Sequence, residues 1–391
     1  MGRIVLKGCR QEIHGEKVRL LADVSGAEVL WFDVDTCYQD MLDTVSVDAF
    51  FILYLWLAME NGVDLCVEAP VSQKLSNAVT GDIQSMFLVL CPRLHNIDVW
   101  VIAPQVVWPR ADRCESATGF SAGVDSWYTA LKAEEQAKPY NYYLYSNTGQ
   151  HGLNNLDEVF RQSARLAENA LTTMDRPLIV VNTNVDLVFN EHFQQRHVIS
   201  NISCVLALQN CISSYAYSAT YSEKDSGIFP HYDMAIMDAI LLPLLSTERL
   251  EFVSIGVGAS RTDKLRFIFG QQKFSNKLFV CVKKNLPIRN CGLCFKCSRT
   301  QLALESIGLK ESIRESFDFA LYQKKRFALM VGLFANARDN SLDLEVVDEL
   351  NERYGLKMLL IRLVASIWFV IRKYLPAGVK WRMEAKAPHL F

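Results

Sequence analysis

Three features of the sequence predict an α/β protein built on a parallel sheet. Short β-rich apolar runs alternate with helix-period segments from about residue 115 to residue 260, the rhythm of βα crossovers. A turn rich in small residues, Thr118–Ser126, stands between one such strand and a helix. Four of the eleven cysteines fall within positions 281–297, at spacings suited to one metal ion. The chain therefore divides into an N-terminal α+β accessory domain (1–112), an α/β core (113–305) carrying a cysteine knuckle (281–297), and a helical C-terminal region with a basic tail (306–391).

Half of the 391 residues are apolar, and 41 Lys and Arg nearly balance 43 Asp and Glu. That composition excludes a disordered chain and carries no strong nucleic-acid signal. The longest apolar run, Ala49–Met59, has eleven residues, too few to cross a bilayer. No basic-apolar leader pattern opens the chain, so a cytoplasmic protein is expected, with cysteines as thiols or metal ligands.

In the first 112 residues Ile4–Leu6, Val18–Ala22 and Val29–Val34 read as strands. Ser46 is placed to cap a helix through Ala49–Met59 that Asn61-Gly62 stops, and Phe50, Tyr54 and Trp56 read as core. Leu65–Glu68 and Val99–Ala103 are further strands. Beyond them, strands at Tyr140–Tyr145, Leu178–Asn182, Tyr215–Thr220 and Phe252–Ile255 alternate with helices at Ser126–Ala137, Leu156–Ala170, Val198–Ser213 and Met234–Leu245. Leu278–Val280 reads as a strand leading into the knuckle, and Thr300–Ile307 as a helix ended by Gly308. Residues 353–391 hold eight Lys or Arg and one Glu among apolar runs. This tail reads as a terminal amphipathic helix with a solvated basic face; a membrane surface or acidic partner is the alternative.

The turn reads Thr118-Gly119-Phe120-Ser121-Ala122-Gly123-Val124-Asp125-Ser126. Small residues at 121–123 let backbone N–H groups approach an anion, and the start of the next helix adds its positive end. Ser121 and Ser126 add hydroxyl donors. No Gly-Lys-Ser/Thr follows, and the Gly-x-Gly-x-x-Gly pattern is absent, so this is neither a Walker A loop nor a Rossmann fingerprint. In Cys281-x9-Cys291-x2-Cys294-x2-Cys297, two-residue gaps let successive thiolates turn onto one ion. An all-sulfur set fits structural zinc with no open position; an iron–sulfur cluster is the rival.

Ser121-Ala122-Gly123-Val124-Asp125-Ser126 resembles the PP-loop of the N-type ATP pyrophosphatases, with Ala122 in place of the family's first glycine. Followed by the cysteine knuckle, it is similar to the 7-cyano-7-deazaguanine synthases. Thr148-Gly149-Gln150-His151 and the segment Asp225–Asp233 are looser echoes of the same family, as is Lys264 at a helix start where Ser260 and Asp263 have capping-box spacing. The resemblance covers about residues 115–305. It implies a Rossmann-like, adenine nucleotide alpha hydrolase-like fold. It also implies ATP with Mg²⁺, held by Phe120, Ser121, Ala122, Gly123, Val124, Asp125, Ser126, Arg261 and Lys264, with Ser121, Asp125, Ser126 and Lys264 serving catalysis. Gln150, His151, Asp225, His231 and Asp233 would read a 7-deazaguanine base. The altered substrate loop, and the extra segments at both ends, look like a paralogue from bacterial anti-phage defence operons. Such an enzyme would adenylate the carboxylate of 7-carboxy-7-deazaguanine and form an amide or nitrile, with an operon partner protein as a further acceptor. A homodimer is compatible with this reading. The alternatives are an ATP-dependent RNA base-modifying enzyme, by thiolation or amidation, and a docking protein with a degenerate nucleotide site.

Overall fold

Alternation of apolar and polar residues builds the first hairpin: Ile4 and Leu6 of β1 (Arg3–His14) and Val18, Leu20 and Ala22 of β2 (Lys17–Ser25) all point into the core. The computed structural model describes residues 2–103, 105–107, 114–150, 156–189, 192–283 and 288–376. The strands continue as β3 (Trp31–Asp35), β4 (Asp64–Val67), β5 (Val71–Ser72), β6 (Val99–Val101), β7 (Gln105–Val106) and β8 (Glu115–Gly119). They end with β9 (Tyr142–Asn147), β10 (Leu178–Thr183), β11 (Ile212–Ser218) and β12 (Glu251–Ile255). Ten of them form one sheet in the order β12-β11-β8-β9-β10-β3-β2-β1-β4-β6, while β5 and β7 pair separately. Within the large sheet only β1–β2, β2–β3 and β3–β10 are antiparallel. The fold is thus α/β with a large, mostly parallel sheet.

The boundary expected at residue 112 is not a break in this sheet. β3 meets β10 through Asn182 opposite Asp33 and Thr183 opposite Phe32. The Asn184 amide extends that short ladder, accepting from the Trp31 N–H at 3.0 Å and donating to the Val29 carbonyl at 2.8 Å. By packing, the chain instead separates into two compact units. The first comprises Met1–Phe120, Ala133–Phe160 and Asp175–Val257, and so holds every strand. The second comprises Ser121–Lys132, Arg161–Met174 and Gly258–Phe391, and holds the 121–126 turn, the four clustered cysteines and the C-terminal helices.

In the first unit the helix Asp48–Asn61 is apolar on every side because it runs through the interior, with Phe50, Tyr54 and Trp56 fully buried. Gly62, at φ 62°, ends it as expected. Ser46 does not cap it; Val47 holds that position. The Ser46 hydroxyl is spent on Asp43 instead, at 2.5 Å. Together they join a buried network in which the Gln209 amide donates to Asp43 (2.9 Å) and Asp48 (3.0 Å), and Arg249 pairs with Asp43. Burial raises the Asp48 carboxyl above its ordinary value, opposed by hydrogen bonds from Ser72.

In the second unit Glu305, at 1% exposure, joins three helices: Phe295–Ser306, Phe319–Asn336 and Ser341–Tyr354. It accepts from the Arg326 guanidinium, from Tyr354 at 2.8 Å and from Tyr322. Gly308, at φ 88°, follows the first of these helices. Leu278–Val280 is not a strand; side chains and a neighbouring loop take up its backbone N–H groups. The terminal helix Leu359–Tyr374 also departs from expectation. Its solvent side carries apolar residues, Leu359, Leu360, Leu363, Ile367, Val370 and Ile371, where a basic face was predicted. Among the described residues, the helical stretch Ser341–Tyr374 is long and apolar enough by composition to cross a membrane.

The Asn184 amide does the work of an additional ladder position, so Asn184→Ala should cost about 1–3 kcal/mol by leaving the Trp31 and Val29 backbone groups without this partner. Urea unfolding followed by far-UV circular dichroism measures it; an unchanged midpoint would refute the seam's importance.

Candidate anion loop and metal centre

The chain leaves β8 at Gly119 and turns through Ser121–Gly123 into the helix Val124–Glu135. Ala122 sits at φ 56°, in the left-handed region where a Cβ costs about 1–2 kcal/mol. An alanine at this position is therefore strained where a glycine would not be. A Cβ at Gly123 would lie 3.2 Å from the Ser121 Oγ, so glycine keeps this corner open. The Ser126 hydroxyl accepts from the Ser121 N–H at 3.3 Å and donates to the Gly123 carbonyl at 3.1 Å, which closes the turn on itself. Ser121 is exposed. The segment misread as a strand props the turn: the Phe279 N–H donates to the Ala122 carbonyl at 2.7 Å, and the Trp127 indole to the Lys277 carbonyl at 3.0 Å. Phe120, expected at the nucleotide, is buried with its ring 5.4 Å from Tyr143, and Val124 is buried as well.

Two cations converge on the first turn of this helix. The Lys264 Nζ is 2.8 Å from one Asp125 oxygen, and the Arg261 guanidinium is 3.4 Å from the other. Both cations are nearly enclosed, Lys264 at 2% and Arg261 at 8% exposure. Burial alone would raise the Asp125 carboxyl, but the charges of Lys264 and then Arg261 prevail and hold it below its ordinary value. For Arg261 burial prevails and lowers the guanidinium, with Asp125 opposing. Ser260 and Asp263 form the anticipated capping box at the start of the helix Arg261–Phe269. Asp125 is therefore the brace that carries both cations to the turn.

Several residues that support this corner gave no sequence signal. Glu345 accepts from the Arg261 N–H at 3.0 Å, and Glu349 accepts from Thr262 at 3.2 Å and pairs with Arg266 at 2.6 Å. Asp343 pairs with buried Arg299 at 2.5 Å. All three acids lie on the helix Ser341–Tyr354, with Glu345 and Glu349 one turn apart, a spacing that ordinarily marks a solvated face.

All eleven cysteines are free thiols. The sulfurs of Cys281, Cys291, Cys294 and Cys297 lie within 4.8 Å of one another. Cys281–Cys294 and Cys291–Cys297 are 3.9 and 4.0 Å apart, close to the ~3.8 Å between sulfurs on tetrahedral zinc with ~2.3 Å bonds. A four-iron cluster bonds each cysteine sulfur to a different iron and needs a wider ring. Backbone N–H groups of Leu293 and Cys294 point at the Cys291 sulfur (3.4 and 3.2 Å), and that of Lys283 at the Cys281 sulfur (3.4 Å). Gln301 ties the knuckle to its helix by donating to the Gly292 carbonyl at 2.8 Å. Gly292 takes φ 72°, as the tight turn requires. The four sulfurs have an arrangement that can hold a metal ion and is compatible with structural zinc.

The residues expected to read a base belong to the first unit. The Gln150 amide closes the turn after β9, accepting from the Thr148 N–H at 3.0 Å. Asp225 accepts from Ser222 at 2.8 Å in a local turn. His231 accepts the Asp233 N–H on Nδ1 at 3.1 Å and lies 4.5 Å from the Tyr232 ring. Asp233 caps a short helix through the Ala235 N–H at 3.0 Å, accepts from Tyr221 at 3.3 Å and lies 3.8 Å from the His197 ring nitrogen. Burial, and then Asp233, raise the Tyr221 hydroxyl far above its ordinary value, so it remains a donor. Thus His231 and Asp233 come together with Tyr221 and His197, while Asp225 is engaged separately. Arg196 forms a buried pair with Asp186 at 2.9 Å. His151 lies outside the described residues. No family model, curated protein or solved structure matches the chain.

Asp125→Asn removes the counter-charge of two buried cations, and should lower unfolding free energy by about 3 kcal/mol at neutral pH. The folded Asp125 value lies below the ordinary 3.8, so this contribution is complete above about pH 4 and vanishes as pH falls through the lowered value. Urea midpoints of the two proteins, measured across pH, should differ at neutrality and converge only in acid.

Proposed function

We propose that this chain is an ATP-dependent adenylating synthase or ligase, related to the 7-cyano-7-deazaguanine synthases. The observation that carries the reading is the 121–126 turn at a helix start, with Lys264 and Arg261 brought to it by Asp125. Such a corner offers backbone donors, a helix dipole and two fixed cations to a polyphosphate. The all-thiol cluster in the same unit supports the family assignment, with zinc as its structural ion.

A carboxylate is a poor acyl donor because its leaving group would be oxide. Attack by a carboxylate oxygen of 7-carboxy-7-deazaguanine on the α-phosphorus of ATP breaks the bond to the β-phosphate and releases pyrophosphate. An amine then attacks the acyl carbon; AMP leaves, the nitrogen loses a proton, and an amide remains. Attack by the amide oxygen on the α-phosphorus of a second ATP releases pyrophosphate; the nitrogen then gives up both its protons as the C–O bond to AMP breaks, leaving the nitrile. In this reading the turn and Ser121 hold the polyphosphate, together with Mg²⁺ that the phosphates themselves ligate. Lys264 and Arg261 offset the negative charge that develops as pyrophosphate departs. The acceptor is ammonia or an amine on a partner protein.

The enzyme incubated with ATP, 7-carboxy-7-deazaguanine and ammonia should release AMP and pyrophosphate in step with an amide or nitrile product seen by mass spectrometry. Release of ADP instead would overturn adenylation. Lys264→Met should reduce turnover about 10²–10³-fold, the usual loss of one charge-stabilising donor. Elemental analysis should find one zinc per chain, lost in Cys294→Ser; iron with acid-labile sulfide would replace the zinc assignment.

A further inference from the structure

The helix Leu359–Tyr374 packs one side against the helix Phe319–Asn336 and leaves the other to solvent. Met358, Ile361 and Ala365 are the buried residues of this segment. Arg372 bonds Asn336, and Arg338 donates to Ser366 at 2.6 Å and lies 4.8 Å from the Phe369 ring. On the outer side Leu359, Leu360, Leu363, Ile367, Val370, Ile371 and Tyr374 are between 46% and 78% exposed. At ~100° per residue these seven fall within an arc of about 120°. Arg362 and Lys373 border one edge of the arc, and Lys357 precedes the helix. No acidic residue occurs between Arg353 and Met383.

A continuous apolar stripe on a surface helix is a docking surface rather than a neutral one. Its charge indicates what docks. Pairing with a second copy would bring two wholly cationic borders together, whereas an anionic lipid surface neutralises them and accepts the stripe among its acyl chains. We propose that this helix lies in the plane of an anionic membrane interface and anchors the protein there peripherally. Sixteen residues span about 24 Å, short of the ~30 Å hydrocarbon core, and the inner side is committed to polar contacts with Asn336 and Arg338. Glu349 and Asp343, on the preceding helix, are engaged by Arg266 and Arg299, so that part of the candidate spanning stretch stays with the protein. Tyr374 beside Lys373 suits the headgroup level at the helix end.

Flotation of the full-length protein with vesicles is the test, using phosphatidylcholine alone and phosphatidylcholine mixed with phosphatidylglycerol. The protein should float with the anionic vesicles and dissociate in high salt. Leu363→Glu/Ile367→Glu should abolish flotation while circular dichroism and metal content stay unchanged, since both side chains are exposed. Arg362→Gln/Lys373→Gln should weaken binding about thirtyfold, from ~1 kcal/mol per lost cation near the surface. Absence of flotation, or equal flotation of Leu363→Glu/Ile367→Glu, would overturn the proposal. So would light scattering that shows a dimer dispersed by those substitutions without any vesicle binding. None of these readouts depends on ATP turnover.

Discussion

One carboxylate facing two nearly enclosed cations sets the terms for the second unit. A buried ammonium or guanidinium without a counter-charge is among the most expensive arrangements a fold can hold, and Asp125 supplies that charge to both Lys264 and Arg261. Their positions then need fixing from behind. Ser260 and Asp263 cap the helix on which they ride, and Glu345 reaches the Arg261 N–H from the helix Ser341–Tyr354. Arg299 and Asp343 lock that helix in turn, and Glu305 joins it to two others through Arg326 and the tyrosines. The C-terminal helices thus take part in holding the corner.

Local chemistry was legible in the sequence. Cysteine spacing located the four-thiol cluster, because four thiols at short intervals leave few other uses. The capping box at Ser260 followed from spacing alone, and the βα rhythm located β9, β10, β11 and β12 to within a few residues. What the sequence concealed was long-range. Nothing in Trp31–Asp35 says that its second neighbour is Leu178–Thr183, so the accessory segment read as a separate domain. Ser46 has the chemistry of a cap but is taken by Asp43, and Leu278–Val280 has strand composition but spends its backbone on the loop and on Ser316 and Asn290. The tail is basic in composition, yet only the packed helix Leu359–Tyr374 reveals that its apolar side faces outward.

The turn at 121–126 illustrates how one motif can divide its functions. The Ser126 hydroxyl holds the turn closed, and Ser121 is the exposed one. Ala122 accepts a left-handed conformation that glycine would adopt freely, and its carbonyl is fixed by Phe279. A motif written as letters treats these positions as equivalent; the hydrogen bonds separate those that shape the loop from those that can meet a ligand.

The β3–β10 seam also has a consequence for biosynthesis. Trp31 and Asn184 are 153 residues apart, so at ~5–20 residues per second β10 leaves the ribosome roughly 8–30 s after β3. Throughout that interval β3 has β2 on one side and an open hydrogen-bonding edge on the other, flanked by Phe32 and Val34. An open edge of this kind is a template for pairing with another chain, so the long sequence separation of the seam carries an aggregation risk that the finished sheet no longer shows.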